Sequence, residues 1–259
     1  MEKEVIKNRK GQNIAVIIEK PENQKDLAFV MHGLGGFKEQ PHIQTIAEVF
    51  KEKGYTVIKF DTTNTIGESD GKLELATVTN YYEDLEDVIR WAQVQEWYQE
   101  PFCLAGHSLG GFCVSLYTEN HPEKVKALAP ISTVVSGELF IKAFKVKESL
   151  EEWERCGYRE WESLSSPGLI KRLNYSFVLD GLKYDLLKKI KEIKVPVLLI
   201  VGENDEDVPP DHQKILYSAL NTEKEFHIIK GAGHTFRDDV HLRELKAILS
   251  KWLEGTNKF

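Results

Sequence analysis

The chain has 259 residues, of which 41% are hydrophobic and 29% are charged, so it suits one globular α/β unit with an insertion. Its net charge of −7 excludes a basic face for nucleic acid, and no apolar run is long enough to span a membrane. The N-terminal residues lack a signal-peptide core and the three cysteines include no C-x-x-C pair, so we predict free thiols and a cytoplasmic location.

The first part of the chain alternates apolar strands with amphipathic helices. A polar cluster at 8–11 separates two N-terminal strands within residues 4–19. A strand at 27–31 runs directly into the glycine-rich loop 32–36, which matches neither common phosphate-binding pattern, so we expect no nucleotide site. Further strands are predicted at 55–61 and 102–105, and helices at 42–53 and 77–95.

The segment 102–117 combines a short apolar strand, a sharp turn and an apolar helix. The turn reads Gly106-His107-Ser108-Leu109-Gly110, which is the G-x-S-x-G pattern of a nucleophile elbow. Glycines are needed there because the tight turn brings neighbouring backbone segments close together. The alternative interpretation is a glycine-rich connection in which Ser108 only caps the following helix.

The interval after the predicted strand at 126–131 is too long for a plain strand–helix–strand unit. We predict that residues 134–188 form an inserted cap or lid, and that residues 1–133 and 189–259 form the core. The aromatic residues of this interval either line a substrate pocket or pack the cap against the core, and we expect packing for most of them. They are Phe140, Phe144, Trp153, Tyr158, Trp161, Tyr175, Phe177 and Tyr184.

The last part of the chain carries acidic residues and a histidine after two predicted strands. The strand at 195–202 ends in an acidic loop, and the strand at 225–230 precedes the loop that holds His234. Functional groups of open α/β sheets collect at the carboxyl ends of the strands. The order serine, acid, histidine therefore predicts a catalytic triad with Ser108 as nucleophile and His234 as base. In total we predict eight strands in a mostly parallel sheet flanked by helices.

Several motifs in this order resemble the α/β-hydrolase-fold serine hydrolases, and most closely the bacterial carboxylesterases of the cinnamoyl/feruloyl esterase group. The motifs are MHGLGG at 31–36, FD at 60–61 with GESDG at 67–71, GHSLGG at 106–111, GENDEDVP at 202–209 and GAGHTF at 231–236. The resemblance implies an α/β-hydrolase fold. The loop after Phe60-Asp61 departs from the usual family spacing, which leaves its path open.

The resemblance also implies roles for particular residues. The family spacing G-x-x-D-x-x-V-P selects Asp205 as the acid, with Asp207 as the runner-up. The backbone N–H groups of Leu34 and Leu109 would form the oxyanion hole. We expect no cofactor and no metal, because no cluster has metal-ligand spacing.

The resulting prediction is a serine carboxylic-ester hydrolase that works through an acyl-enzyme intermediate. Its substrate would be a small-molecule ester with a small to medium acyl group, hydroxycinnamoyl esters included. Acyl transfer, thioester hydrolysis and amide or peptide hydrolysis by the same triad remain alternatives, as does a non-catalytic binding protein on a hydrolase scaffold. The assembly is open, with a homodimer as one option.

Overall fold

The computed structural model describes residues 1–147, 150–163 and 168–256, and its centre is an eight-stranded sheet in the order β1-β2-β4-β3-β5-β6-β9-β10. β2 is antiparallel to both of its neighbours, and all other neighbouring strands are parallel. The eight predicted strands and the mostly parallel arrangement are thus confirmed. The strands are β1 (Glu2–Lys7), β2 (Asn13–Glu19), β3 (Asp26–Met31), β4 (Tyr55–Phe60), β5 (Phe102–His107), β6 (Val125–Ile131), β9 (Val197–Gly202) and β10 (Lys224–Ile229).

Helices cover both faces of the sheet. Most of them have one apolar side, and the helix that follows the serine turn is buried nearly all round. The helices between the core strands are α1 (Pro41–Glu52), α2 (Val78–Ala92), α3 (Leu109–Asn120) and α7 (Pro210–Ala219), and α8 (Asp239–Thr256) follows the last strand. Buried residues of α2 and α3 join one hydrophobic cluster, and those of α1 and α8 join the cluster on the opposite face. Cys103 and Cys113 are buried free thiols within these clusters, as predicted, and Cys156 is exposed.

The parallel register brings the ends of β3, β5, β6 and β9 to one edge of the sheet. Met31 pairs with Gly106, and Ile131 pairs with both His107 and Ile200. The loop after β3 therefore lies beside the turn after β5, and the acidic loop after β9 lies on the other side of that turn. This adjacency is what assembles the candidate site from distant parts of the chain.

In its described residues, the predicted insertion contains three α-helices and a two-stranded antiparallel sheet, none of which the sequence pattern predicted individually. The elements are α4 (Gly137–Lys147), α5 (Leu150–Cys156), β7 (Tyr158–Glu162), β8 (Ile170–Asn174) and α6 (Ser176–Gly181). Asp180 of α6 accepts hydrogen bonds of 2.8 Å from the backbone N–H and the hydroxyl of Thr79 in the core. Lys171 of β8 donates to the carbonyl oxygen of Gly35.

The loop after β4, whose family spacing is unusual, is organised by the buried Asp61. Its carboxylate accepts hydrogen bonds from the Lys38 ammonium at 2.8 Å and from the backbone N–H groups of Lys38 and Glu68 at 2.7 Å. Only glycine fits at position 67 beside this carboxylate, because a Cβ on residue 67 would lie 2.3 Å from the carboxyl atoms of Asp61. The loop thus ends close to its own start, although its length differs from the family pattern.

A search of the described residues for membrane spans found no helix with the length and apolar character needed to cross a bilayer.

Candidate active site

Ser108 occupies the turn between β5 and α3 with a backbone conformation that is costly for a side-chain-bearing residue. Its φ is 55° and its ψ is −119°, and its own N–H donates to the carbonyl oxygen of Ile131 at 2.9 Å. Residues are held in such strained conformations only where the surrounding structure over-determines them, which is common at functional sites. The geometry therefore favours a nucleophile elbow over an ordinary helix cap, and the Ser108 side chain makes no capping hydrogen bond.

The glycines of the turn are explained by close backbone contacts. A Cβ at Gly106 would lie 2.5 Å from the carbonyl of Gly110, and a Cβ at Gly110 would lie 2.4 Å from the carbonyl oxygen of His32. A Cβ at Gly33 would lie 2.9 Å from the Cβ of Ser108. These three glycines allow the strand, the helix and the loop after β3 to meet around the serine.

Asp205 and His234, predicted from separate loops, are hydrogen-bonded to each other. The Nδ1 of His234 lies 2.8 Å from the Oδ2 of Asp205, and Oδ1 accepts the backbone N–H groups of Val208 at 2.8 Å and Asp207 at 3.1 Å. Burial alone would raise the pKa of Asp205. The charge and hydrogen bond of His234 and the Val208 N–H outweigh burial and hold that pKa below its usual value of 3.8. Asp207, the runner-up, has an exposed side chain.

Two further histidines form a chain of ring contacts with His234, tilted at 50° and 60° to one another, an arrangement that the sequence did not predict. The ring centroids of His234 and His107 are 4.6 Å apart, and those of His107 and His42 are 4.3 Å apart. His107 is also hydrogen-bonded to the loop that holds His234, because its Nε2 donates to the carbonyl oxygen of His234 at 2.7 Å. Burial, with the charge of His234, lowers the pKa of His107 to about 3. Burial, with the charge of His107, lowers that of His42 well below its usual range.

His32, at the start of the glycine-rich loop after β3, makes two hydrogen bonds through its ring. Its Nδ1 donates to the carbonyl oxygen of Gly33 at 2.7 Å, and its Nε2 accepts the backbone N–H of Thr62 at 3.1 Å. Burial lowers the pKa of His32, which keeps the ring in the neutral form that both bonds require. The ring therefore joins the loop after β3 to the loop after β4.

The two residues whose backbone N–H groups are predicted for the oxyanion hole line the apolar cavity together with Ser108. Leu109 is the first residue of α3, and Leu34 lies in the loop that contacts Ser108 through Gly33. Among the backbone hydrogen bonds of the described turns and loops, none uses either N–H group. Both are therefore available to bind an oxyanion, and the N-terminus of α3 favours negative charge at this point.

Two cavities meet at Ser108 and His234. The first, which we call the apolar cavity, has a volume of about 200 Å³. The second, which we call the cationic cavity, has a volume of about 370 Å³ and includes Lys171 and Arg237. Besides Ser108 and His234, the apolar cavity is lined by two charged residues, Arg159 and Asp207, and by many apolar ones. The apolar lining includes Leu34, Val78, Leu109, Phe112, Val134, Phe140, Ile141, Trp153, Leu173, Phe177 and Val178.

Of the aromatic residues predicted to pack or line, Phe140, Trp153, Trp161 and Phe177 line the apolar cavity, and Trp161 also lines the cationic cavity. Tyr158, Tyr175 and Tyr184 are not among the lining residues of either cavity, and the Phe144 side chain lies outside the described residues. More of these aromatic residues line a cavity than we expected from the sequence. Sequence reasoning missed the lining residues Lys171 and Arg237, because neither belongs to a recognisable motif.

Asp205, Asp207 and His234 bring their ligand atoms within 4.8 Å of one another, so they could hold a metal ion. The sequence offered no such cluster, because these residues lie in two separate loops. However, both oxygens of Asp205 already accept hydrogen bonds, from His234 and from two backbone N–H groups. That arrangement suits an acid that orients a histidine better than it suits a metal ligand.

The chain is similar in sequence to one protein family and to several known hydrolases. The model of the prolyl oligopeptidase family, Peptidase_S9, matches residues 41–258. The palmitoyl-protein thioesterase ABHD10 of Bos taurus is 28% identical over 202 residues, which are 77% of this chain and 64% of that protein. The chain thus spans less than two thirds of that relative's length.

Solved structures show the same fold. A structure of Est1E from Butyrivibrio proteoclasticus with ferulic acid bound has a TM-score of 0.83 at 22% identity, covering 99% of this chain and 100% of that one. The mouse alpha/beta hydrolase domain-containing protein 10 has a TM-score of 0.79 at 22% identity, covering 98% of this chain and 99% of that one. The α/β-hydrolase fold expected from the sequence is therefore confirmed.

Proposed function

Because the chain belongs to the prolyl oligopeptidase family and is a hydrolase of the α/β-hydrolase fold, we propose that it cleaves carboxylic esters through an acyl-enzyme on Ser108. The observation that carries this proposal is the hydrogen bond between Asp205 and His234. His234 lies where the two cavities meet, and Ser108 is held at the same place on a strained turn. A serine hydroxyl is a weak nucleophile near neutral pH and needs such a base beside it.

In the proposed mechanism, Ser108 Oγ attacks the ester carbonyl carbon while His234 Nε2 accepts the hydroxyl proton. The carbonyl oxygen becomes an oxyanion, which the N–H groups of Leu34 and Leu109 stabilise. The imidazolium then gives its proton to the departing alcohol, and ionised Asp205 stabilises this charged state. Water, deprotonated by His234 in turn, hydrolyses the acyl-enzyme and releases the acid.

The apolar cavity is the proposed acyl site, with residues 134–188 acting as the cap that closes it. Its volume of about 200 Å³ lies below the roughly 300–1,000 Å³ typical of sites for drug-sized ligands. We therefore propose a small to medium acyl group. The aromatic lining supports hydroxycinnamoyl groups as one substrate class. We place the enzyme in a reducing compartment such as the cytoplasm, because its thiols are unpaired.

The acyl preference tests this proposal. We expect kcat/KM, measured for esters of one alcohol, to be highest for short or medium acyl chains and to include turnover of a ferulate ester. Long chains should lose activity because they exceed the apolar cavity. A marked preference for emulsified long-chain lipids would contradict the small-ester proposal.

A thioester is a second candidate substrate, favoured by the name of the bovine relative, a palmitoyl-protein thioesterase. The same triad can attack an ester, a thioester or an amide carbonyl, and the leaving atom distinguishes them. The acyl series should therefore include a matched thioester and a matched amide. Faster thioester cleavage after allowance for the better leaving group would replace the ester assignment.

The pH dependence of kcat/KM should show one protonation on the acid side and a plateau into mild alkali. The base must be neutral to accept a proton, so activity is lost as pH falls through the ordinary histidine range, about pH 6–7.5. Neither His107, with its pKa lowered to about 3, nor Asp205, with its pKa below 3.8, titrates in that range. A profile with two protonations, or one that EDTA shifts, would contradict the single metal-free base.

A further inference from the structure

The cationic cavity contains two positively charged side chains from different parts of the fold. Lys171 lies on β8 in the insertion, and Arg237 lies three residues after His234. Both line the cavity together with Ser108 and His234, and no acidic residue is among the lining residues that the structure describes. Of the residues described, two cations and no carboxylate thus line this cavity, although the chain as a whole carries −7 and Arg237 also lines a neighbouring cavity with Glu206, Asp207 and Asp238.

Lys171 is the more buried of the two cations. Its ammonium donates to the carbonyl oxygen of Gly35 at 2.9 Å, and no carboxylate partner for it is found among the described residues. An ammonium has three N–H donors, so this bond leaves donors that can face the cavity. Burial lowers the pKa of Lys171, and the positive charge of Arg237 lowers it further. A bound anion would favour the charged form of Lys171 and so oppose both of these influences on its pKa.

We propose that Lys171 and Arg237 bind an anionic group, a carboxylate or a phosphate, on the alcohol or thiol that leaves during hydrolysis. This inference rests on the proposed function and adds the class of leaving group. Ammonium and guanidinium groups form strong charge-assisted hydrogen bonds with such oxyanions.

The position of the cations identifies the part of the substrate that they contact. His234 must deliver its proton to the leaving group, so that group lies on the histidine side of Ser108. The cationic cavity is the one lined by Thr235 and Arg237 from the histidine loop, whereas the apolar cavity is the one lined by Leu109 at the start of α3. The acyl chain therefore occupies the apolar cavity and the leaving group occupies the cationic cavity.

The test uses butyrate esters of three alcohols of similar size: 3-hydroxypropanamide, 3-hydroxypropanoate and 3-hydroxypropyl phosphate. For the wild-type protein we expect kcat/KM of at least one anionic ester to exceed that of the amide ester by about tenfold or more. The comparison between the two anions shows whether the carboxylate or the phosphate is preferred. Added KCl should reduce the preference, because salt screens charges that solvent can reach.

The variants K171Q and R237Q should each reduce the ratio of anionic to neutral kcat/KM, and the double variant should bring it close to one. The ratio is the readout because Lys171 also contacts the Gly35 loop, so its loss can alter absolute rates. Arg172→Gln is the matched control. Arg172 is an exposed neighbour on β8, its guanidinium lies over the ring of Tyr158, and it lines neither cavity.

The inference is wrong if the wild type cleaves the neutral ester equally well, or if R172Q lowers the ratio as much as K171Q does. It is also wrong if preference appears only for a carboxylate on the acyl chain, tested with a monoester of a dicarboxylic acid. These outcomes leave ester hydrolysis itself intact. Failure to cleave any of the esters would instead overturn the proposed function on which the inference rests.

Discussion

Replacing Ser108 by alanine should lower kcat for ester hydrolysis by about 10⁶-fold, the scale seen when a triad serine is removed in another hydrolase. Among the described residues that line the two cavities, Ser108 is the only serine or cysteine, so only substrate binding and the oxyanion donors would remain. The fold should persist, because the Ser108 side chain makes no capping hydrogen bond. The measurements are kcat and labelling by a fluorophosphonate, which should modify wild-type Ser108 and leave the variant unmodified.

Ser218→Ala provides the matched control for this experiment. Ser218 lies exposed on α7, where its hydroxyl donates to the carbonyl oxygen of Lys214. Both turnover and labelling should remain normal in that variant. If wild-type Ser108 is not labelled and no ester is cleaved, the chain is a binding protein on a hydrolase scaffold rather than an enzyme.

The sheet was predictable because its elements are local in sequence. Each core strand is a short apolar run, and each core helix repeats its apolar residues at helical spacing, so both can be recognised without any long-range contact. The positions of Ser108 and His234 follow from the same logic, since both come directly after strands that end at one edge. The boundaries were less certain, and α2 ends at Ala92 rather than at 95.

The sequence predicted that an insertion exists and roughly where it begins and ends, but not the helices and strands within it. The hairpin of β7 and β8 and the short helix α6 have no strong periodicity, and their positions depend on contacts with the core such as the one between Asp180 and Thr79. Lys171 reaches the cavity because β8 passes over Gly35. No sequence pattern within residues 134–188 indicates that contact, so the sequence alone would predict an ordinary surface lysine at this position.

The contacts among His42, His107 and His234 could not be predicted from the sequence for a different reason. His42 lies on α1, and its ring reaches His107 only because α1 packs beside the ends of β3 and β5. A histidine on an amphipathic helix gives no sequence signal of that kind. Its burial and its low pKa are properties of the assembled site.

The acidic residue was the least determined member of the triad, because four acids crowd the loop at 203–207. The family spacing selected Asp205, and the structure adds a physical distinction between the candidates. Asp205 is only 2% exposed and is bonded to His234, whereas Asp207 is exposed. Position along the loop decides which carboxylate turns inward, and composition does not contain that information.

Asp205→Asn should lower kcat by about 10³–10⁴-fold while preserving the fold, as an equivalent change does in another triad. The backbone N–H groups of Val208 and Asp207 both donate to Oδ1 of Asp205. An asparagine must place its amide oxygen there, which turns its NH₂ group toward Nδ1 of His234. Nδ1 would then accept a hydrogen bond, so the proton would move to Nε2, which could no longer accept the proton of Ser108.

Asp207→Asn is the charge-matched control for that substitution and should change kcat by no more than about threefold, because Asp207 is exposed and Nδ1 of His234 is hydrogen-bonded to Asp205 instead. Both variants should unfold at temperatures close to that of the wild type, which excludes misfolding as the cause of lost activity. If Asp207→Asn is the inactive variant and Asp205→Asn retains turnover, the acid is Asp207, and the hydrogen bond between Asp205 and His234 has only a structural role.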